Sequence, residues 1–579
     1  MANEPFLVAD LNQTSAGSNP QSLVSSGGIL YFVAENDDTG RELWRIDPLA
    51  GTTTVIDLNP GSGTSSPANL IDVNGVLYLS ATNGTDGNEL WRIAADGTAT
   101  LVSLNPGASS SSPRNLTVVN GVLYFTASGD VGATAIGTEL WRIDPATGLP
   151  EALDLVTGAG SSSPGNLLNA NGVLYFTATS TGQGVELWSI DPSTGAPVFL
   201  KDIYSGPTSS NPSNLTYSNG KIYFSATTLE QGTELWQTDG TTGGTQLTAD
   251  LNLTSAASNP TDLTRVGGVL FFLANDGIAG VRLWRVDATT GTAGVVALGA
   301  GDAVPSGGSL IEVGGVLYLR AQDGTSGAEL WRVASDGTAT TIDIRTGATG
   351  SNPANLINVG GRLYFTANGT SGASTSGTEL WWIDGAGVPQ LIDIVSGTGS
   401  SSPTNLTDAG GILYFRASTT AGAELWKVDP ADNLPVLVSD LNPGAAGSNP
   451  TDFYAVGSTL YFTANNGSNG SELYQLTAGS SSPTLIELNA GPASSNARNL
   501  IAVGNALYFV ATDGIVGDRL RRLDPASTTP VLLEVPDLSV SNGGAFLDQF
   551  TAVQGSLFFR DQANNRLITI DASTGDPVV

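Results

Sequence analysis

The side chains of this chain that could do chemistry are carboxylic acids, and they recur. Glutamate precedes a Leu-aromatic pair at Glu42, Glu89, Glu139, Glu186, Glu234, Glu329, Glu379, Glu424 and Glu472, and arginine takes that place at Arg282, Arg519 and Arg566. A second acid closes a later segment of the repeat at Asp10, Asp57, Asp154, Asp202, Asp250, Asp343, Asp393, Asp440, Glu487 and Glu534. Two carboxylates suffice for glycoside hydrolysis, and oxygen ligands are what a hard cation such as calcium requires. Asp37, Asp38 and Glu42, in the run Asn36-Asp37-Asp38-Thr39-Gly40-Arg41-Glu42, are the candidate calcium ligands, with a spacing unlike that of an EF-hand loop. Histidine and cysteine are both absent, which removes the commonest general base, thiol catalysis, thiolate metal sites and disulfides. Catalysis needs one asymmetric cluster, and no acid pair here stands apart from its counterparts. The expectation for each glutamate is a structural acceptor for N–H groups of the Gly-rich turn just before it. For the Asp-Pro and Asp-x-x-Thr-Gly segments it is a turn clamp. No catalytic residue is assigned, and calcium is the one cofactor left open.

The elements that position these acids follow from the register of the tripeptide Glu-Leu-Trp. Its aromatic position falls at Trp44, Trp91, Trp141, Trp188, Trp236, Trp284, Trp331, Trp381 and Trp426, then at Tyr474, Arg521 and Ile568, with spacings of 45 to 50 residues. In the second unit, residues 69–73, 76–81, 89–93 and 100–104 read as four strands, with Asn74-Gly75 and Asp96-Gly97 as hairpin turns. Four antiparallel strands in about 47 residues is the size of one β-propeller blade. The Trp is expected between neighbouring blades, where an aromatic buries its largest area; a row of sugar-stacking platforms is the functional alternative. Asn-Leu opens the first, innermost strand at Asn69, Asn115, Asn166, Asn214, Asn355, Asn405 and Asn499, and these amides are expected to cap the loop that ends at the preceding Pro.

The fold class predicted is all-β: residues 1–579 as one closed propeller of twelve four-stranded blades. Residues 6–11 match a fourth strand and are expected to clasp the C-terminal blade, 549–579, removing the exposed edges. Two six-bladed propellers are the alternative, because the unit around Trp284 is atypical and the loop from Gly299 to Gly308 loses the usual Ser-Ser-x-Pro. Its fourth strand is read as Val295-Val296-Ala297-Leu298, at an unchanged distance from Trp284, which keeps the third and fourth strands in one blade.

The formal net charge of −31 opposes nucleic acid and anionic lipid. No run of about 18 apolar residues marks a membrane span, and the first residues lack the pattern of a secretory signal peptide.

The segment Glu234-Leu235-Trp236-Gln237-Thr238-Asp239-Gly240-Thr241 carries a full ELWxxDGT signature, and most other units carry Glu-Leu-Trp with a drifted turn. The chain therefore resembles the bacterial ELWxxDGT-repeat family over nearly its whole length. The resemblance implies a surface or secreted bacterial protein, and the lack of Cys with few Lys resembles proteins exported without a cleaved signal. The leading functional expectation is a non-catalytic extracellular or cell-surface scaffold or interaction module, a monomeric ring that could stack, whose partner is a protein or a glycan. A glycan-binding or adhesin domain using the long loops of one face, notably Ser128–Thr138 and Asn368–Thr378, is the alternative, and a glycoside-acting enzyme the remote one.

Overall fold

A computed structural model describes residues 6–7, 18–47, 52–61, 63–131, 134–252, 256–299, 304–305, 310–323, 326–371, 374–478, 480–503, 506–515, 518–524, 531–532, 547–553, 556–561 and 566–571. Among these residues every regular element is a β-strand, and the strands pair into twelve antiparallel sheets, numbered 1 to 12 along the chain. Sheet 1 contains Gln21–Ser26, Ile29–Asn36, Gly40–Asp47 and Thr52–Ile56, paired in that order. Sheet 2 contains Ala68–Val73, Val76–Ala81, Glu89–Ile93 and Ala99–Val102, within two residues of the strands read from its sequence. Its first turn has φ +53° at Asn74 and +83° at Gly75, the left-handed pair a two-residue hairpin demands.

Among the described residues the first strand carries a bulge in every sheet except sheet 7. Ala68 faces Ser80 but Ile71 faces Tyr78, so one extra residue is taken up between them, and Asn69 sits there at φ +55°. Asn115, Asn166, Asn214, Asn355, Asn405 and Asn499 do the same, and Ser22, Asp262 and Asp452 take the position in other sheets. Short polar side chains tolerate this backbone region, which explains the residue type.

The core lies between sheets. Trp91 of sheet 2 packs with Leu43, Ile56 and Leu58 of sheet 1, and Trp236 of sheet 5 packs with Leu187, Leu200 and Ile203 of sheet 4. The expected place of the Trp, between neighbouring units, is thus its observed place. One cluster joins Val296 and Leu298 of sheet 6 to Leu317, Trp331 and Val333 of sheet 7. Another joins Leu30, Phe32 and Trp44 of sheet 1 to Phe558 of sheet 12. Sheet 12 is made of Leu547–Val553, Ser556–Asp561 and Arg566–Asp571 with Phe6–Leu7 as its fourth strand, Phe6 facing Thr569 and Leu7 facing Ile568. Residues 8–11 of the expected clasp, and 572–579, lie outside the described residues.

Two expectations are corrected. The fourth strand of sheet 6 is Ala293–Val295, not 295–298; it pairs with Val281–Val286, while Val296 and Leu298 turn into the core shared with sheet 7. The segments 128–138 and 368–378 are not free loops. Val122–Val131 pairs with Thr134–Ile143 out to Val131–Thr134, and Arg362–Ser371 pairs with Ser374–Ile383 in the same way. The added residues lengthen a hairpin because backbone groups there find ladder partners instead of water.

Candidate functional site

The repeated glutamates are fully buried, and each is spent on one task. Glu234 Oε2 accepts the Leu251 N–H at 2.8 Å and the Ser258 hydroxyl at 2.7 Å, while Oε1 accepts the Ser258 N–H at 2.8 Å. Glu42 does the same with Leu58 and Ser65, Glu139 with Leu155 and Ser162, and Glu379 with Ile394 and Ser401. The pattern holds at Glu186, Glu329 and Glu424. Glu89 binds Leu104 and Ser111, and Glu472 binds Leu488 and Asn489. This corrects the expected partner: the N–H groups belong to the connection that leaves the fourth strand, not to the Gly-rich turn before the glutamate. Strand three is thereby stapled to the path into the next sheet. The serine was missed in the sequence, although its signal was present: the Ser-x-Pro is lost after Arg282, where the glutamate is also lost.

Burial pushes the glutamate carboxyls up, against the hydrogen bonds that favour their charged form, and at Glu329 the result is about 7. The turn aspartates behave oppositely. Asp144 Oδ1 accepts the N–H groups of Ala146 and Thr147, each at 2.8 Å, and those bonds hold its carboxyl below the usual range. Asp287 makes the same clamp with Thr289 and Thr290. Of the calcium candidates, Glu42 is committed to the Leu58–Ser65 connection, whereas Asp37 and Asp38 lie on an exposed turn. Among the described residues, no three acidic side chains gather as a metal site.

The first-strand amides reach forward, not back. Asn69 Nδ2 donates to Pro113 O at 3.1 Å, Asn166 to Pro212 O at 3.2 Å and Asn214 to Pro260 O at 3.3 Å, each carbonyl lying just before the next sheet. The expected cap on the preceding Pro is therefore replaced by a tie between neighbours. A second tie comes from the residue after the Trp. Arg45 donates to Ala95 O, Arg142 to Gly195 O and Arg285 to Ser335 O, every one a turn of the following sheet. The last of these ties sheet 6 to sheet 7.

Clefts open at both ends of the sheets. One of about 280 Å³ lies between sheets 3 and 4 beside Tyr124, Arg142 and the Asp191–Gly195 turn. On the opposite face, where the second-strand and fourth-strand connections meet (Gly87 N–H donates to Gly107 O at 3.1 Å), a cavity of about 330 Å³ lies between sheets 4 and 5.

Residues 27–266, less than half of the chain, match the family model PQQ_2, described as outer membrane protein assembly factor BamB. The matched span runs from sheet 1 into the first strand of sheet 6. It is a propeller-type repeat match, in keeping with the repeat nature read from Glu-Leu-Trp. No curated protein matches. Among solved structures, the chain is similar to the puromycin-hydrolyzing peptidase of Mycobacterium tuberculosis (14% identity, 55% of this chain and 52% of that one, TM-score 0.26). It is also similar to dipeptidyl peptidase 4 of Porphyromonas gingivalis (10%, 75% and 63%, TM-score 0.30) and the GH74 enzyme of Niastella koreensis (13%, 99% and 98%, TM-score 0.24). The chain spans about half the length of the first of these, and overlaps at this level carry no functional weight.

Proposed function

We propose that this chain is a non-catalytic extracellular or cell-surface interaction module, built as one closed ring of twelve blades. The observation that carries the reading is the fate of the repeated acids. The buried glutamates are occupied by the connections between sheets, and the turn aspartates by their own backbones, while Asp202, Asp250 and Asp440, which close fourth strands, each keep one buried oxygen without a hydrogen bond and recur from sheet to sheet instead of forming one distinct pair. Two-carboxylate chemistry needs one pair freed from such duty. Ring closure is supported by Phe6–Leu7 completing sheet 12 and by Phe558 entering the core of sheet 1. A single array, rather than six blades plus six, is supported by the core and the Arg285 tie that cross from sheet 6 to sheet 7. The partial match to a model described as an outer membrane assembly factor favours the cell envelope. The partner is a protein or a glycan, met on the face of the second-strand and fourth-strand connections.

Three measurements test this reading. Face-on class averages in electron microscopy are expected to show a single disc of twelve lobes; two linked rings would overturn the ring. Deleting residues 1–11 is expected to expose a strand edge and cause aggregation, so a monomeric deletion with unchanged Tm counts against closure. Purified protein is expected to leave a panel of chromogenic glycosides intact. Turnover abolished by one carboxylate substitution would replace the module with an enzyme.

A further inference from the structure

Neighbouring sheets close their shared cleft with a repeated pair. Asn59, leaving sheet 1, lays its amide against Gly84 of sheet 2, so close that any side-chain carbon on Gly84 would collide with it. Asn252 meets Gly277 between sheets 5 and 6 in the same way, and Asn442 and Asn489 fill the equivalent clefts before sheets 10 and 11. Between sheets 4 and 5 both partners differ, with Tyr204 in place of the Asn and Leu229 in place of the Gly; sheets 3 and 4, with Val156 and Thr181, and sheets 8 and 9, with Val395 and Thr420, also lack the pair. The plug is gone, and the cavity of about 330 Å³ takes its place. Trp236 shares an unpartnered indole N–H with Trp331 and Trp426, whereas the other indoles that are bonded donate to a second-strand carbonyl, Trp188 included. Trp91 and Trp284, beneath the closed clefts, donate to Ala81 O and Ala274 O at 3.0 and 3.1 Å. Trp236, which lines the open one, is 5% exposed and its N–H has no partner.

We infer that this cleft is a binding site for an uncharged saccharide. Ile203 and Trp236 make an apolar floor, and half-buried Tyr204 faces Leu229, which is 76% exposed. Thr228, Glu230 and Gln231 add a hydroxyl, a carboxylate and a carboxamide on one side. An apolar ring face next to side chains that pair with adjacent hydroxyls suits a pyranose, whose C–H face is apolar and whose edge is polar. The volume lies at the lower end of the range of about 300–1,000 Å³ typical of small-molecule sites. The lining holds Glu230 and no cation, and the net charge is −31, both of which disfavour an acidic sugar; Lys201, over the Trp236 ring at 5.9 Å, is an opposing charge beside it. The site rests on the binding-module reading and gives it a ligand class.

The test is a glycan array of uncharged glycans, followed by tryptophan-fluorescence titration with maltotriose, cellotriose, xylotriose and mannotriose. The decisive variant is Tyr204→Asn with Leu229→Gly, which installs the plug that four sister clefts already tolerate. Saturable binding, weakened about tenfold or more by the double variant with Tm unchanged, supports the site; Glu230→Gln should weaken it by a smaller factor. No binding to any uncharged glycan, equal binding by the double variant, or displacement by an apolar peptide instead of a sugar would each overturn it. Breakdown of a bound trisaccharide on long incubation would leave the site standing but sink the non-catalytic reading.

Discussion

Sheets 5 and 6 are neighbours with opposite solutions to one problem. In sheet 5, Glu234 is buried and holds Leu251 and Ser258 of the outgoing connection. In sheet 6 the equivalent residue is Arg282, whose guanidinium lies 3.5 Å from Asp276 of its own sheet, and the connection that follows has no Ser-x-Pro. Sheet 11 repeats the substitution with Arg519, and the stretch after it also lacks the motif. Carboxylate and serine are lost together in these two sheets, whereas sheet 12, with Arg566, keeps Ser18-Asn19-Pro20 in the connection into sheet 1. Where the carboxylate is present it needs the donors, because a buried carboxylate without them carries a desolvation cost.

The comparison can be broken most forcefully at Glu234. Glu234→Ala strands the buried Leu251 N–H, leaves Ser258 only its bonds to Thr233 O and opens a cavity, and is expected to cost about 3 kcal/mol in urea denaturation. Ser258→Ala should cost about 1 kcal/mol, and the double variant less than the sum, since both act in one network. Strict additivity would mean that they are separate contacts.

The reverse exchange sharpens the point. Arg282→Glu puts a carboxylate beside Asp276 with no serine to meet it, so a loss of about 2 kcal/mol is expected. A gain in stability would show that the glutamate needs no partner.

Acidity should separate the two kinds of sheet as well. Folded Glu329 keeps its proton up to about 7, against 4.5 for an ordinary glutamate. Between those values the folded chain binds more protons than the unfolded one, so stability falls as pH rises through that window. The urea midpoint is expected to be higher at about pH 5 than at about pH 7.5, and Glu329→Gln to flatten the slope. The turn aspartates, held low by their N–H partners, act only on the far acid side. A small effect is expected at the first strand, where Asn69→Ala loses two part-buried bonds, to Pro113 O and Ser80 Oγ, about 1 kcal/mol by denaturation.

Much of this architecture was legible because each unit is written in short-range code. Alternating apolar residues around Trp91, the Asn74-Gly75 turn and the constant spacing specify four strands without knowledge of any neighbour. The internal repeats even act as controls: the joint loss of glutamate and Ser-x-Pro at Arg282 is visible in the letters. What failed were statements about who touches whom. The partner of Glu234 is 17 and 24 residues away, and the partner of Asn69 is 44 residues away, across a sheet boundary.

Periodicity and turn chemistry, both properties of adjacent residues, determined that this protein is a chain of repeated four-stranded β units with its aromatics turned toward neighbouring units. Only tertiary packing decided where the buried carboxylates found their donors, which way the rim amides reach, and that the insertions near 131 and 371 extend hairpins. It also decided that Tyr204 and Leu229 leave a cleft where Asn and Gly fill one at four other junctions. The physical reason is that a strand's pattern is set within a few residues, whereas the satisfaction of a buried polar group depends on which segment the fold places against it.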